Sequence, residues 1–576
     1  MHSRLLATTS LLFLCVLSTD GFAQPVRERP GMQPRDRRAT EPPRTGTATI
    51  TGRVTAADTG TPLRRVQARL SSPELRGGRS TMTDAEGRYT LSYLPAGRYG
   101  LTFVKAGFVT TQYGQKRPRQ PGTPIDLGEG QKVERIDVAL ARGGVIAGRV
   151  FDDLGEPVVD ARVQVMQYRW ANGRRRLAAA GRVSQTNDRG EFRVWGLAPG
   201  EYYVMGTNSE RPMFSDAAAA PASETDATGY APTYYPGTAS AEEAQRVPVT
   251  TGQDVTGVDF TLLTTRTVSV SGIALQSDGR PMSGAMVMLM LRSGMEGAGP
   301  FAPQGSRTDA RGTFTIRQVP PGDYVLQARS SFGPPEEAGT EPAMMPVSVG
   351  AEDLKNVVLV ATPGVRVSGR VIVEGTPPAS GMDDLRVMLA PIEGDIWMPG
   401  MGGSARVTAQ RTFEARGVQG RRRMLIPGLP TGWTLKAVRI GGTDVIDTGY
   451  EFGKEDVTGV EMVVTGRITE LTGNVRGHDK QAVTDYVVMA FSTDSGHWVS
   501  GSRRIGTARP DQNSTYRLRA LPPGSYYVIA LEAMPEDWGN PELLETLKDR
   551  ATKVRLDEGE TRTLELTLEA MPPTLP

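Results

Sequence analysis

Between Thr83 and Tyr99 the chain reads TDAEGRYTLSYLPAGRY, and this stretch decides the fold. Asp84 can cap a tight turn through its side chain, and Gly87 can take the left-handed backbone that such a turn requires. An aromatic strand then opens at Tyr89. Pro95-Ala96-Gly97 reads as a second turn, in which proline presets φ near about −65° and glycine is expected to supply the positive φ of a type II turn. Tyr99 opens the next strand, with its ring expected to be packed and its hydroxyl hydrogen-bonded.

The same pattern recurs along the chain. Strands with a central glycine occur at Gly52, Gly148, Gly272, Gly369 and Gly473, successively 96, 124, 97 and 104 residues apart. A second marker follows 45 to 63 residues after each: LPAGRY ending at Tyr99, LAPGEY at Tyr202, VPPGDY at Tyr324, LPTGW at Trp433 and LPPGSY at Tyr526. The capped turn precedes it as TNDRGEF from Thr186, TDARGTF from Thr308 and PDQNSTY from Pro510, whereas the fourth repeat has only Gly417 and Gly420 around a basic run. Each repeat closes on an alternating run, as in Ile136-Asp137-Val138-Ala139-Leu140, with one face for a core and one for water.

Units of about 100 residues with short alternating strands read as β-sandwiches. The expectation is an all-β chain, a tandem array of about five transthyretin/Ig-like β-sandwich domains. Their bounds fall at 47–142, 143–265 with long aromatic loops, 266–363, 364–465 (divergent) and 466–570. Five such units in line would make a rod or arc on the order of 150 Å long. A single short helix is expected in the last, from Asn540 to Ala551, with Asn540 as N-cap, Pro541 in the first turn and Leu543, Leu544 and Leu547 facing inward.

The N-terminus reads as an address. Arg4 precedes 13 apolar residues, Leu5–Leu17, and Gly21-Phe22-Ala23 supplies small residues for cleavage. Residues 1–23 are therefore expected to be a signal peptide and 24–46, dense in Pro and Arg, a disordered linker. Thirteen residues are too few to span a bilayer, and no later apolar run exceeds seven, so no transmembrane segment is expected in the mature chain. The resulting localisation is extracytoplasmic, periplasmic or secreted. The one cysteine, Cys15, lies in the apolar run, so stability must come from cores and not from disulfides.

The run of G-R-V, D-x-x-G-x-[YF] and L-x-P-G-x-Y resembles the carboxypeptidase regulatory-like domain, a small transthyretin-like sandwich. The likeness extends over most of Thr47–Ala570 and is poorest in the fourth repeat. It implies a fold and no chemistry: proteins made only of such units resemble exported bacterial chains, and the related fold overlaps in shape with starch-binding modules.

Composition restricts the functions open to the chain. A net charge of +2 offers no general field for nucleic acid, and only His478 and His497 remain beyond the signal segment. Neither histidine starts an H-x-x-E zinc motif, so no metal, no cofactor and no catalytic residue is assigned. Asp494, His497 and Ser500 are close in sequence but lack a nucleophile elbow, and read as a polar hairpin tip. The Asp turns supply too few acids for a calcium loop. Arg421-Arg422-Arg423 reads as a solvated loop. The candidate ligand-binding residues are the loop aromatics of the second repeat, Tyr168, Trp170, Tyr230, Tyr234 and Tyr235, whose flat rings suit sugar faces or extended peptides. The sequence thus points to an exported, non-catalytic binding or scaffold protein of the cell envelope, partnered by an envelope protein or a polysaccharide. The alternatives are a carbohydrate-binding protein using those aromatics, and an accessory subunit of an envelope enzyme or transporter.

Overall fold

The computed structural model describes residues 46–571 except 73, 76–77, 119, 172–173, 209–213, 217–227, 292–303, 330–342, 378–381, 383–384, 393–402, 500 and 536. The stretches expected to be a signal peptide and, up to Thr45, a linker lie outside the described residues. What is described is a succession of two-sheet β-sandwiches, so the all-β tandem expectation holds.

The first sandwich sets the plan. Its central strand β1 (Ala48–Ala56) lies between β4 (Arg88–Leu94), antiparallel, and the short strands β8 (Lys132–Val133) and β9 (Val138–Leu140), parallel. The facing sheet runs β3 (Arg79–Met82), β2 (Gln67–Ser71), β5 (Gly97–Val104), with β6 (Thr111–Gln112) and β7 (Ile125–Leu127) at its far edge. Alternation along β4 and β5 sends Tyr89, Leu91, Tyr99, Leu101 and Phe103 into one buried core. Separate cores of the same kind form around Val204 and Phe260, Phe314 and Leu326, Phe413 and Met462, and Tyr516 and Tyr526. In the last sandwich a further cluster gathers beneath α1 (Pro541–Lys548), whose N-cap Asn540 accepts from the Glu542 N–H at 3.0 Å and whose Leu543, Leu544 and Leu547 are buried, as the sequence predicts.

The central glycines have a steric cause. A Cβ on Gly52, Gly148, Gly272, Gly369 or Gly473 would stand 2.1, 2.1, 1.9, 2.1 and 2.0 Å from the carbonyl oxygen of Ile136, Val258, Val357, Val460 and Leu564 respectively. The closing strand crosses so tightly that only glycine fits. In the first and last sandwiches a tyrosine hydroxyl donates to the same carbonyl, Tyr89 to Ile136 and Tyr516 to Leu564, each at 2.7 Å.

The Pro-Gly marker behaves differently from the expectation. Gly97, Gly200 and Gly322 do not have left-handed φ. The residue four positions earlier does: Tyr93 at 59°, Gly196 at 79° and Gln318 at 57°, with Ala520 at 63° ahead of Gly524. These residues form a bulge near the end of the strand, where the register skips between Ala48 and Ile50 and between Val268 and Val270. The type II turn assignment is therefore replaced by a bulge followed by a tight reversal. The tyrosine two residues on has the expected double role. Its ring is buried, and its hydroxyl donates to the carbonyl of Pro95, Ala198, Pro320 or Pro522 at 2.6, 2.5, 2.8 and 2.5 Å.

In the fourth repeat LPTGW is not this marker. The equivalent hairpin joins strands Thr412–Val418 and Gly420–Leu425, with left-handed Gly417 and Gly420. Gly420 follows Gly369 by 51 residues, inside the range of the other repeats. Leu429–Trp433 instead leads into an additional strand, Thr434–Ile440, paired with Val457–Thr465.

The first and last sandwiches are also in direct contact: the Asp126 N–H donates to Gln512 Oε1 at 3.0 Å, across 386 residues of chain. A straight rod would keep these two apart, so the rod is corrected.

Candidate functional site

The aromatics of the second sandwich sit on two opposite faces of one sheet. Along Gly200–Thr207, Tyr202 and Val204 point into the main core, while Tyr203 and Met205 point out of it. Tyr235 and Tyr230 pack partly buried against the main core, Tyr235 with its ring 6.4 Å from Phe260. Tyr168 and Tyr234 join Met166, Tyr203 and Met205 in a small cluster on the outer face. Tyr168 meets Tyr203 edge-on at 5.3 Å and lies under the Arg175 guanidinium at 4.8 Å. Burial, aided by neighbouring Tyr168, raises the Tyr234 hydroxyl above its ordinary pKa. Trp170, two residues beyond Tyr168 on strand Arg162–Ala171, is 38% exposed. The structure thus divides four of the five residues between two packing clusters and leaves Trp170, in neither, as the most open ring of the five.

The polar motifs are occupied by folding. Asp84, Asn187, Asp309 and Asp511 each accept from the backbone N–H four residues on, at 2.7, 2.9, 2.8 and 3.0 Å. In the second repeat the capping residue is Asn187, not Asp188. The fourth repeat achieves the turn with Thr408, whose hydroxyl accepts from the Thr412 N–H at 3.2 Å, and with Arg411 at φ 61° in the left-handed position. The preceding threonine was legible in T-D and T-N but had no assigned task. Buried Thr83, Thr186 and Thr308 each donate to one carbonyl (Leu63, Val158, Met282) and accept one N–H (Val66, Ala161, Ala285), stitching the first loop of the repeat.

His497 ends a single 3₁₀ turn capped by Asp494. Ser492 Oγ and Asp494 Oδ2 both approach its Nδ1, at 3.3 and 3.5 Å. A triad needs nucleophile and acid on opposite ring nitrogens, so this is not one. Ser500 lies outside the described residues, and His478 is exposed in the turn Gly477–Gln481. Among the described residues no three His, Cys, Asp or Glu side chains group as a metal site would.

Arg423 is not a solvated loop residue. It reaches from the fourth sandwich to Gly501 O at 2.7 Å, beside Asp447, which is held by Arg503 at 2.7 Å and Arg504 at 3.6 Å. Burial alone would raise the Asp447 carboxyl, but its hydrogen bond and charge pairing with Arg503, with Arg504 nearby, hold it below the usual carboxylate range. A cleft of about 710 Å3 opens near the same joint, between the Trp433 ring, Glu374, Lys436 and Arg467. Lys436 there bridges Glu374 and Glu558, each at 2.8 Å.

No helix among the described residues is long and apolar enough to cross a membrane. Among solved structures the chain is similar to a streptococcal ancillary pilin (12% identity over 55% of this chain and 99% of that one, TM-score 0.18). It is also similar to GBS52, the minor pilin of Streptococcus agalactiae (16%, 38% and 95%, TM-score 0.21), and to BcpA, the major pilin subunit of Bacillus cereus (11%, 55% and 99%, TM-score 0.13). Likenesses this distant carry no functional weight. No curated protein matches the chain. The carboxypeptidase regulatory-like domain family matches residues 49–141 and 269–357, the first and third sandwiches. On sequence and fold together, residues 49–141 and 269–357 are carboxypeptidase regulatory-like domains.

Proposed function

We propose that this chain is an exported, non-catalytic scaffold of the cell envelope that holds binding faces on a series of sandwiches bounded at 47–142, 143–265, 266–363, 364–465 and 466–570, the second of which lends strand Phe214–Asp216 to a sheet of the third. One observation carries the reading: the recurring polar residues are engaged in turns, loop stitches and joints, where they serve folding. Arg4 with Leu5–Leu17 supports export. Expression in a bacterial host tests it: the mature chain should be recovered outside the cytoplasm with Gln24 at its N-terminus, and an uncleaved cytoplasmic chain would defeat the reading.

The partner is an envelope protein or polysaccharide. Trp170 favours the carbohydrate alternative, since an exposed ring whose cross-strand partner is Arg175 can stack on a sugar. Trp170→Ala should then abolish retention on the bound polysaccharide with an unchanged melting curve. Tyr235→Ala should lower the melting temperature instead. Retention that survives Trp170→Ala removes this site.

A further inference from the structure

The last sandwich docks on the first through a polar joint. Asp126, in β7, pairs with Arg98 in a register that turns its own N–H and C=O away from β5. Gln512 satisfies both with one side chain: Oε1 accepts from the Asp126 N–H at 3.0 Å, and Nε2 donates to Asp126 O at 2.7 Å. A single carboxamide thus takes the place of a neighbouring strand at an open sheet edge. Gln512 sits in the capped turn of the last repeat, where the other repeats carry Ala85, Asp188, Ala310 and Ala409, none of which can both donate and accept. The residue matching Asp126 in the second sandwich is Pro248, which has no N–H to offer.

The remaining contacts are also polar. Arg509 donates to Gly114 O at 3.2 Å, Arg98 to Arg517 O at 3.4 Å, and ion pairs join Lys116 to Asp485 at 3.5 Å and Arg517 to Asp126 at 3.7 Å. Each core cluster stays on its own side of the joint. Matching is incomplete: Asp126 Oδ2, Arg509 Nε, Asp511 Oδ2 and Arg517 Nε are buried without a hydrogen bond. Burial, only partly countered by Asp126, holds the Arg98 guanidinium below its ordinary pKa, and Arg517 and Arg519 crowd it from the other face. A surface this weakly matched closes because the chain tethers its two halves at high local concentration.

We propose that this joint is a latch, opening and reclosing while every sandwich stays folded, so that both polar faces are alternately covered and free. Hydrogen exchange on the intact chain tests it, because the Asp126 N–H reports the joint while the Ile125 and Leu127 N–H groups face β5 and report the first sandwich. The latch requires Asp126 to exchange at least about tenfold faster than its two neighbours. Gln512→Glu removes the donor to Asp126 O and sets a carboxylate against it. This change should speed Asp126 exchange by about a further tenfold and increase the radius of gyration, leaving Ile125 and Leu127 unchanged. Gln512→Ala should move the same readouts in the same direction. If Asp126 exchanges together with Ile125 and Leu127, or neither variant alters its rate or the radius, the joint is rigid and the proposal fails.

Discussion

Substituting Gly272 by alanine places a Cβ 1.9 Å from Val357 O and 2.7 Å from its carbonyl carbon. Carbon and oxygen in contact rest about 3.3 Å apart, so one strand must retreat by about 1.4 Å. The retreat falls on the parallel pairing of Gly272 with Val357, in the middle of the three-stranded sheet. Overpacking of this kind costs about 1–3 kcal/mol, and one or two weakened ladder bonds add about 1 kcal/mol each, for a total of about 2–5 kcal/mol. For a sandwich of this size that is a loss of at least about 8 °C in melting temperature. Gly322→Ala is the control. Its nearest atoms are 3.3 and 3.4 Å away, on the Tyr324 ring and Leu291, and its backbone is not left-handed, so a change within about 0.5 kcal/mol is expected. Because several sandwiches unfold in one chain, the readout should be local: hydrogen exchange of Thr313–Val319 and Leu354–Val360. If those strands are as protected in Gly272→Ala as in Gly322→Ala, the steric account of the central glycines is wrong.

Three further outcomes follow from particular contacts. Tyr324→Phe removes a buried hydroxyl that donates to Pro320 O at 2.8 Å and should cost the third sandwich about 1 kcal/mol by local exchange; a neutral result would mean that the hydroxyl is dispensable. The Asp447 carboxyl is depressed in the folded chain, so its contribution is complete above about pH 4, the unfolded value, and is lost as pH falls through the lower folded value. Asp447→Asn should weaken the joint of the fourth and fifth sandwiches by about 2 kcal/mol at neutral pH and flatten that acid dependence, measured as exchange of the Arg503 and Arg504 amides. Thr308→Val strands the Ala285 N–H and should cost about 1–3 kcal/mol, whereas Thr308→Ser should be nearly silent in a thermal melt.

The repeat plan was legible because it is local. A capping Asp four residues from its N–H, a left-handed Gly87 and a buried Tyr two residues past a glycine are all short-range devices that leave a fixed spacing in the sequence. The Pro-Gly turn was misread because the strained residue is Tyr93, Gln318 or Ala520, residue types that announce no positive φ. In the fourth repeat LPTGW imitated a motif whose real counterpart, Val418-Gln419-Gly420, has neither proline nor tyrosine. The central glycine was found by its recurrence, but its cause lies in a carbonyl 84 to 110 residues away. The aromatics were visible as residue types only. Which face each ring takes depends on the alternation of Tyr202 and Tyr203 in a partner strand. The joint of first and last sandwiches rests on Gln512, a variable position of the capped-turn motif that announces no distant partner.

The central claim, a chain of sandwiches each folded around its own core, is tested most directly by residue-resolved hydrogen exchange of the full chain across rising denaturant. Five blocks of amides, grouped around the cores of Leu101, Val204, Leu326, Met462 and Val528, should each lose protection cooperatively at a midpoint of their own. A single transition shared by all of them would contradict it.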